Sequence, residues 1–135
     1  MLRECAASFL DEMIRRGFSE SDVEFHDVPG AFEIPLYAKR LARRAKYSAI
    51  IAAGLIVDGG IYRHEFVAGA VIDGLMKVQL EMDTPIFSAV LTPHHLHHSD
   101  EHEVFFKNHL ALKGREVAHA CAAMLKNSEG EVTDW

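Results

Sequence analysis

The chain has 135 residues, 49% of them hydrophobic and 25% charged, with a formal net charge of −6; this is the profile of one ordinary globular domain, 1–135, able to bury about two-thirds of the surface its unfolded chain exposes. The acidic balance excludes general binding to a nucleic-acid backbone, which needs a basic surface, and leaves open a single local phosphate site. No apolar run approaches the roughly 20 residues of a membrane span and no charged-then-apolar leader opens the sequence, so no membrane association and a cytoplasmic location are expected; Cys5 and Cys121, without CxxC spacing, read as two buried thiols, with a disulfide the alternative.

Taken in order, residues 2–16 repeat apolar side chains at three and four (Leu2, Cys5, Ala6, Phe9, Leu10, Met13), which predicts an amphipathic helix stopped by Gly17. Residues 23–28 alternate as a strand, with Glu24, His26 and Val28 on one side, and Pro29-Gly30 ends it. A helix is expected over about 32–44, with Ile34, Ala38, Leu41 and Ala45 on its apolar face and a basic last turn that suits the helix dipole. The unbroken apolar run 49–57 predicts a fully buried strand. After Asp58-Gly59-Gly60, a helix is expected from His64 to Met82, striped by Val67, Val71, Leu75, Val78 and Met82. Gly69 and Gly74 inside it each cost about 1 kcal/mol against alanine, which points to close packing on a neighbour. Thr84-Pro85 breaks that helix, 86–91 is another buried strand, and Thr92-Pro93 ends it. A polar, histidine-dense stretch follows to Glu103. Then come a short helix over 105–112, a last helix over 114–125 with Val117, Ala120, Cys121 and Met124 inward, and a frayed tail. Helices alternating with strands imply parallel βαβ units in an α/β layered fold.

Three stretches have the residue types for chemistry. His64 opens a helix after a glycine pair, where imidazole can shuttle protons near neutral pH; a histidine that merely caps the helix fits equally well. Asp58 to Arg63 can seat an anion on backbone N–H groups at a helix start, or be a plain strand-to-helix turn, since it is neither a P-loop nor a dinucleotide fingerprint. Glu33, with Phe32 beside it, follows another strand end; its carboxylate either caps the helix or grips ligand hydroxyls. His94, His95, His97, His98 and His102 could hold a metal, but a loop without cysteines offers no fixed geometry, and His64-Glu65 lacks the second histidine of a zincin because Ala68 stands there.

The segments VPGAFEIPLYAKRLA, AAGLIVDGGIYRHEFVAGAVIDGLMKVQLE, TPIFSAVLTP and LKGREVAHACAAML resemble the 6,7-dimethyl-8-ribityllumazine synthase family, and DGGIYRHEFV with LTPHHLHHSDEH resembles its type-2 branch. The resemblance spans about 2–125. It implies a flavodoxin-like three-layer α/β/α fold around a four-stranded parallel sheet, and a homo-oligomer built on pentamers with the active site between subunits. It also implies condensation of 5-amino-6-(D-ribitylamino)uracil with 3,4-dihydroxy-2-butanone 4-phosphate, without metal or redox cofactor. By the same resemblance, His64 is the acid/base residue. Phe32 and Glu33, with Ala31 alongside, line the ribitylaminouracil pocket, and Ile56 and Val57 meet the pyrimidine. The backbone of Gly60, Ile61 and Tyr62 meets the phosphate. Phe87 comes from the neighbouring subunit, and Lys113 matches the lysine before glycine.

Two departures set further expectations. The stretch after Thr92-Pro93 has no arginine where the common form binds phosphate, and His98, His102, Lys107 or Arg63 is the candidate substitute; inorganic phosphate should bind more weakly than to an arginine-bearing homologue. The resemblance also places a first strand ahead of the first helix, in the middle of the sheet, and that strand is absent from this sequence, so a truncated start or an altered sheet is expected. A lumazine- or flavin-binding protein of weak or no activity is the alternative function, and a metal-binding regulator using the histidine stretch is a third; turnover separates the first two and zinc calorimetry tests the last.

Overall fold

The computed structural model describes residues 2–57, 64–92 and 100–128, the side chains of His64 and of 100–103, 127 and 128 excepted. The order is α1 (Leu2–Arg15), two single 3₁₀ turns (Glu20–Asp22 and Ala31–Glu33), α2 (Ile34–Arg43), β1 (Ile50–Leu55), α3 (His64–Met82), β2 (Ile86–Leu91) and α4 (Asp100–Ser128). β1 and β2 run parallel, with Ile50 opposite Ile86 and Leu55 opposite Leu91. Helices pack on both faces: α2 and α3 against one, α1 and α4 against the other. This is the expected three-layer α/β/α arrangement, and each layer boundary holds its own core. Ile34, Leu41, Ala52, Val71, Leu75 and Val90 fill the α2/α3 side. Phe9, Met13, Ala89, Leu110, Val117 and Cys121 fill the α1/α4 side.

Local chemistry accounts for the element ends. α1 stops at Gly17, whose φ of +101° an L side chain rarely adopts. The Gly17 N–H donates to the Ile14 carbonyl and the Phe18 N–H to the Met13 carbonyl, both at 3.0 Å; together they make a Schellman end that satisfies two orphan carbonyls. α2 opens with Pro35 in its first turn, where a missing N–H costs nothing. Gly74 of α3 faces Pro35 of α2, and a Cβ there would stand 3.1 Å from the proline ring. The close neighbour expected for Gly74 thus lies in the same chain.

Several expectations are corrected. Residues 23–28 form no strand, and the sheet among the described residues has two strands, not three. A strand exists by its partner, and this segment has none: β1 bonds β2, and no backbone hydrogen bond from another described segment reaches 24–28. The alternation survives without a ladder. Val23 packs against the α1/α4 core and Val28 against the α2/α3 core. Ala45, expected on the buried face of α2, lies past its end at φ +53° and is exposed. The two short C-terminal helices are one, α4, because Gly114 continues the helix at its crossing with α1. Met124, expected inward, is exposed. No helix among the described residues is long and apolar enough to cross a membrane, and Cys5 and Cys121 are free, buried thiols.

Candidate functional site at the carboxyl end of the sheet

β1 ends on a half-open shelf. Leu55 closes the strand, and the Ile56 N–H still donates to the Leu91 carbonyl at 2.9 Å. This buries Ile56 and leaves Val57 exposed. The Ala31–Glu33 turn lies against this strand end. Gly54 allows it: a Cβ built on Gly54 would stand 3.3 Å from Ile34 Cδ1 and 3.8 Å from the Ala31 methyl. The turn also contacts α3, whose first residue, His64, is separated from Val57 only by residues 58–63. Ligands of open parallel sheets sit at the carboxyl ends of the strands, beside helix starts.

The two side chains at the head of the shelf have no evident structural task. Phe32 is 68% exposed, a large apolar ring left in solvent. Glu33 is the N-cap residue of α2 and makes no side-chain capping hydrogen bond there. Its Oε2 instead lies over Gly30, 3.1 Å from where a Cβ would be.

The structure gathers Ala31, Phe32, Glu33, Ile56, Val57 and the start of α3 at one end of the sheet. It places two expected residues elsewhere. Phe87 sits beside Ile51 near the amino end of β2, packed on the α1/α4 core. Lys113 is half-buried on α4, near enough to Cys5 to act on its thiol electrostatically. Neither reaches the shelf of its own chain. Gly60, Ile61, Tyr62, Arg63 and His94, His95, His97 and His98 lie outside the described residues, as do the side chains of His64 and His102.

A polar cluster borders the site's incoming segment, and sequence reading did not single it out. Glu24 accepts from Lys46 Nζ at 2.6 Å on one carboxylate oxygen and from the Tyr47 hydroxyl at 2.5 Å on the other. His26 Nε2 lies 3.4 Å from the second oxygen, and its Nδ1 is 3.0 Å from the Tyr37 hydroxyl of α2. The Lys46 ammonium, then the Tyr47 hydroxyl, hold the Glu24 carboxyl down to about 2. The signal was present as the alternation that put Glu24 and His26 on one side of 23–28. Their partners, Tyr37, Lys46 and Tyr47, are distant in sequence. Beside this cluster, a groove of about 700 Å³ runs along the edge of β1 that no other described strand pairs, between residues 23–28 and the α1/α4 layer. It includes none of the shelf residues.

The sequence profile of the 6,7-dimethyl-8-ribityllumazine synthase family matches residues 1–129. The chain belongs to this family. It is 57% identical over 119 residues to the 6,7-dimethyl-8-ribityllumazine synthase of Rhodococcus erythropolis, covering 88% of this chain and 77% of that protein. The relative named 6,7-dimethyl-8-ribityllumazine synthase 2 in Pseudomonas syringae pv. tomato is 55% identical over 117 residues, 87% of this chain and 69% of its own length. The synthase 2 of Bradyrhizobium diazoefficiens is 52% identical over 129 residues, 96% of this chain and 77% of its own. The match runs through both halves of the shelf, the Gly30–Glu33 segment and the end of β1 with the start of α3.

Proposed function

We propose that this chain condenses 5-amino-6-(D-ribitylamino)uracil with 3,4-dihydroxy-2-butanone 4-phosphate to give 6,7-dimethyl-8-ribityllumazine, a step of riboflavin biosynthesis. The observation that carries this reading is the shelf itself. Phe32, an exposed aromatic ring, and Glu33 follow directly on Ala31, whose methyl lies against Gly54 at the carboxyl end of β1, one short segment from a histidine that opens a helix. Glu33 accepts hydrogen bonds from ribityl hydroxyls, and Phe32 walls the pyrimidine with Ala31. Ile56 and Val57 present the strand end to the base. The backbone of Gly60, Ile61 and Tyr62 meets the phosphate at the positive end of α3.

The amine of the uracil attacks the ketone carbonyl, and loss of water leaves a Schiff base. Elimination of inorganic phosphate and ring closure with loss of a second water give the product. His64 moves the protons in these steps. The reading uses no metal or redox cofactor, and it treats 1–135 as a single cytoplasmic domain. The reading assigns Phe87 to the shelf of a neighbouring subunit in a homo-oligomer built on pentamers, as the family resemblance implies.

Turnover of the two substrates, followed by lumazine absorbance, tests the reading. Replacing His64 by Ala is expected to slow turnover by about 10²–10⁴-fold; an unchanged rate would remove it from the mechanism. Glu33→Gln is expected to raise KM for the ribitylaminouracil more than for the butanone phosphate, and the opposite order would take Glu33 out of the uracil pocket.

A further inference from the structure

Phe32 and Glu33 are exposed, yet the residues on either side of them are seated: Ile34 is buried, and Ala31 and Pro35 are half-buried. Ala31 and Ile34 lie against β1 at Gly54, where a Cβ would stand 3.8 Å from the Ala31 methyl and 3.3 Å from Ile34 Cδ1. Pro35 lies against α3 at Gly74, where a Cβ would stand 3.1 Å from both Cβ and Cγ of its ring. The head of α2 is thus wedged between a strand and a helix, with a glycine at each contact. Glycine is among the poorest residues inside a helix, so Gly74 needs a reason. Above and below it, α3 packs through the side chains of Val71, Leu75 and Val78. At Gly74 it offers none, and the Pro35 ring takes the space. The two contacts differ in stiffness. Ile34 Cδ1 ends a flexible side chain and can turn aside. The proline ring is closed on its own backbone nitrogen, so pressure on it reaches the backbone. The Glu33 N–H donates to the Gly30 carbonyl at 3.2 Å, which ties the turn into one unit. The Glu33 side chain makes no capping bond, so its place follows that of the turn.

We infer that Gly74 is a positioning residue for the candidate site: by leaving room for the Pro35 ring it sets how deep the head of α2 sits between β1 and α3, and thereby where Phe32 and Glu33 meet the ribitylaminouracil. This role rests on the functional reading above, but part of its test does not.

The test uses the whole chain with Gly74→Ala, Gly54→Ala, Pro35→Gly and the double variant Gly74→Ala/Pro35→Gly. Alanine's helix preference offsets much of the crowding, so the Gly74→Ala chain keeps its fold. Its KM for the ribitylaminouracil is expected to rise about three- to tenfold, and that of Gly54→Ala by less, because its methyl meets the movable end of Ile34. KM for the butanone phosphate and kcat should stay within about twofold. Pro35→Gly removes both ring atoms that the new methyl meets, so in that background Gly74→Ala should raise KM by no more than about twofold. An unchanged KM in Gly74→Ala, an equal rise in both backgrounds, or a loss of kcat with both KM values raised overturns the inference. Amide hydrogen exchange without substrate is the independent arm. Faster exchange over 31–34 in Gly74→Ala, absent when the same change is made in the Pro35→Gly background and with α4 unaffected, supports the inference. Unchanged exchange over 31–34 overturns it, because α3 would then have yielded in place of the turn. If the unaltered chain turns over neither substrate, the functional reading has failed, and the exchange arm alone decides whether Gly74 seats the turn.

Discussion

Gly114 is the residue whose replacement should cost the fold most for its size. A glycine inside a helix loses about 1 kcal/mol against alanine, so its place in the middle of α4 needs a reason. A Cβ built there runs into the Ser8 hydroxyl and the Cys5 carbonyl of α1, and stands 3.1 Å from the Phe9 amide. Two of these three are backbone atoms, so α1 itself must move. Gly114→Ala is expected to destabilise by about 1–3 kcal/mol, read as a lower urea midpoint at unchanged slope; a stabilised variant would mean that the helices are further apart than described. The buried thiols give a pH dependence. Burial raises both, Cys121 to about 11. The neutral thiol is the form the fold tolerates, so this stabilisation is complete below the ordinary thiol pKa of 9.0. It is lost as pH rises through about 11. Urea stability should therefore fall from pH 9 to pH 11, and less steeply in Cys121→Ala; parallel curves would show that Cys121 has no part in it.

At the scale of elements, what could be read from the sequence was what a segment decides alone. α1, α3 and β2 lie where periodicity and their stops place them, because a Schellman glycine, a Thr-Pro break and an apolar stripe act within a few residues. Phe32 and Glu33 drew notice from the sequence as turn residues at the start of a helix, whereas Ala31, Ile56 and Val57 were named as site residues by the family resemblance alone. Residues 23–28 misled because alternation reports two unlike environments, which a groove wall supplies as well as a sheet. The continuity of α4 was hidden because Gly114 reads as punctuation until α1 is seen against it. Phe87 and Lys113 could be named by resemblance, but nothing in their own sequence says which chain's shelf they face. Among the described residues β1 is paired along one side alone, and this has a measurable consequence. The Ile50 amide bonds the Pro85 carbonyl and the Ile56 amide the Leu91 carbonyl, so the parallel register turns the amides of Ala52 and Gly54 toward β2 as well. Those of Ile51, Ala53 and Leu55 face the other edge of the strand, where Ile51 and Ala53 line the groove. Native-state exchange should show strong protection at Ala52 and Gly54 and weak protection at the other three; uniform protection along β1 would mean that the groove edge is covered in solution.

The whole molecule leaves one helix overloaded with apolar surface. α3 buries Ala68, Val71, Leu75 and Val78 against α2 and the sheet. Its opposite side presents Ile72, Met76 and Leu80 at four-residue spacing, exposed at 44%, 52% and 74%, with Phe66 one turn and a half before them. Gly69 lies on the same side, and a Cβ there would meet nothing within 4 Å. A helix apolar on both faces belongs in an interior, and a stripe of this length is more than scattered exposure explains. The face opposite the core is therefore expected to take a second subunit, with Gly69 where two backbones would come close. Leu80→Glu and Met76→Glu should each shift sedimentation velocity toward smaller species while the far-ultraviolet spectrum of the helices is kept, because a charge buried without a partner opposes assembly and costs little on an exposed monomer surface. Gly69→Ala sharpens the test, since its sign depends on the neighbour. In a monomer alanine gains about 1 kcal/mol of helix stability. At a close crossing it loses more than that by forcing the helices apart. A Gly69→Ala chain that is more stable and sediments as the unaltered chain does would show that this face is open to solvent, and assembly would have to use another surface.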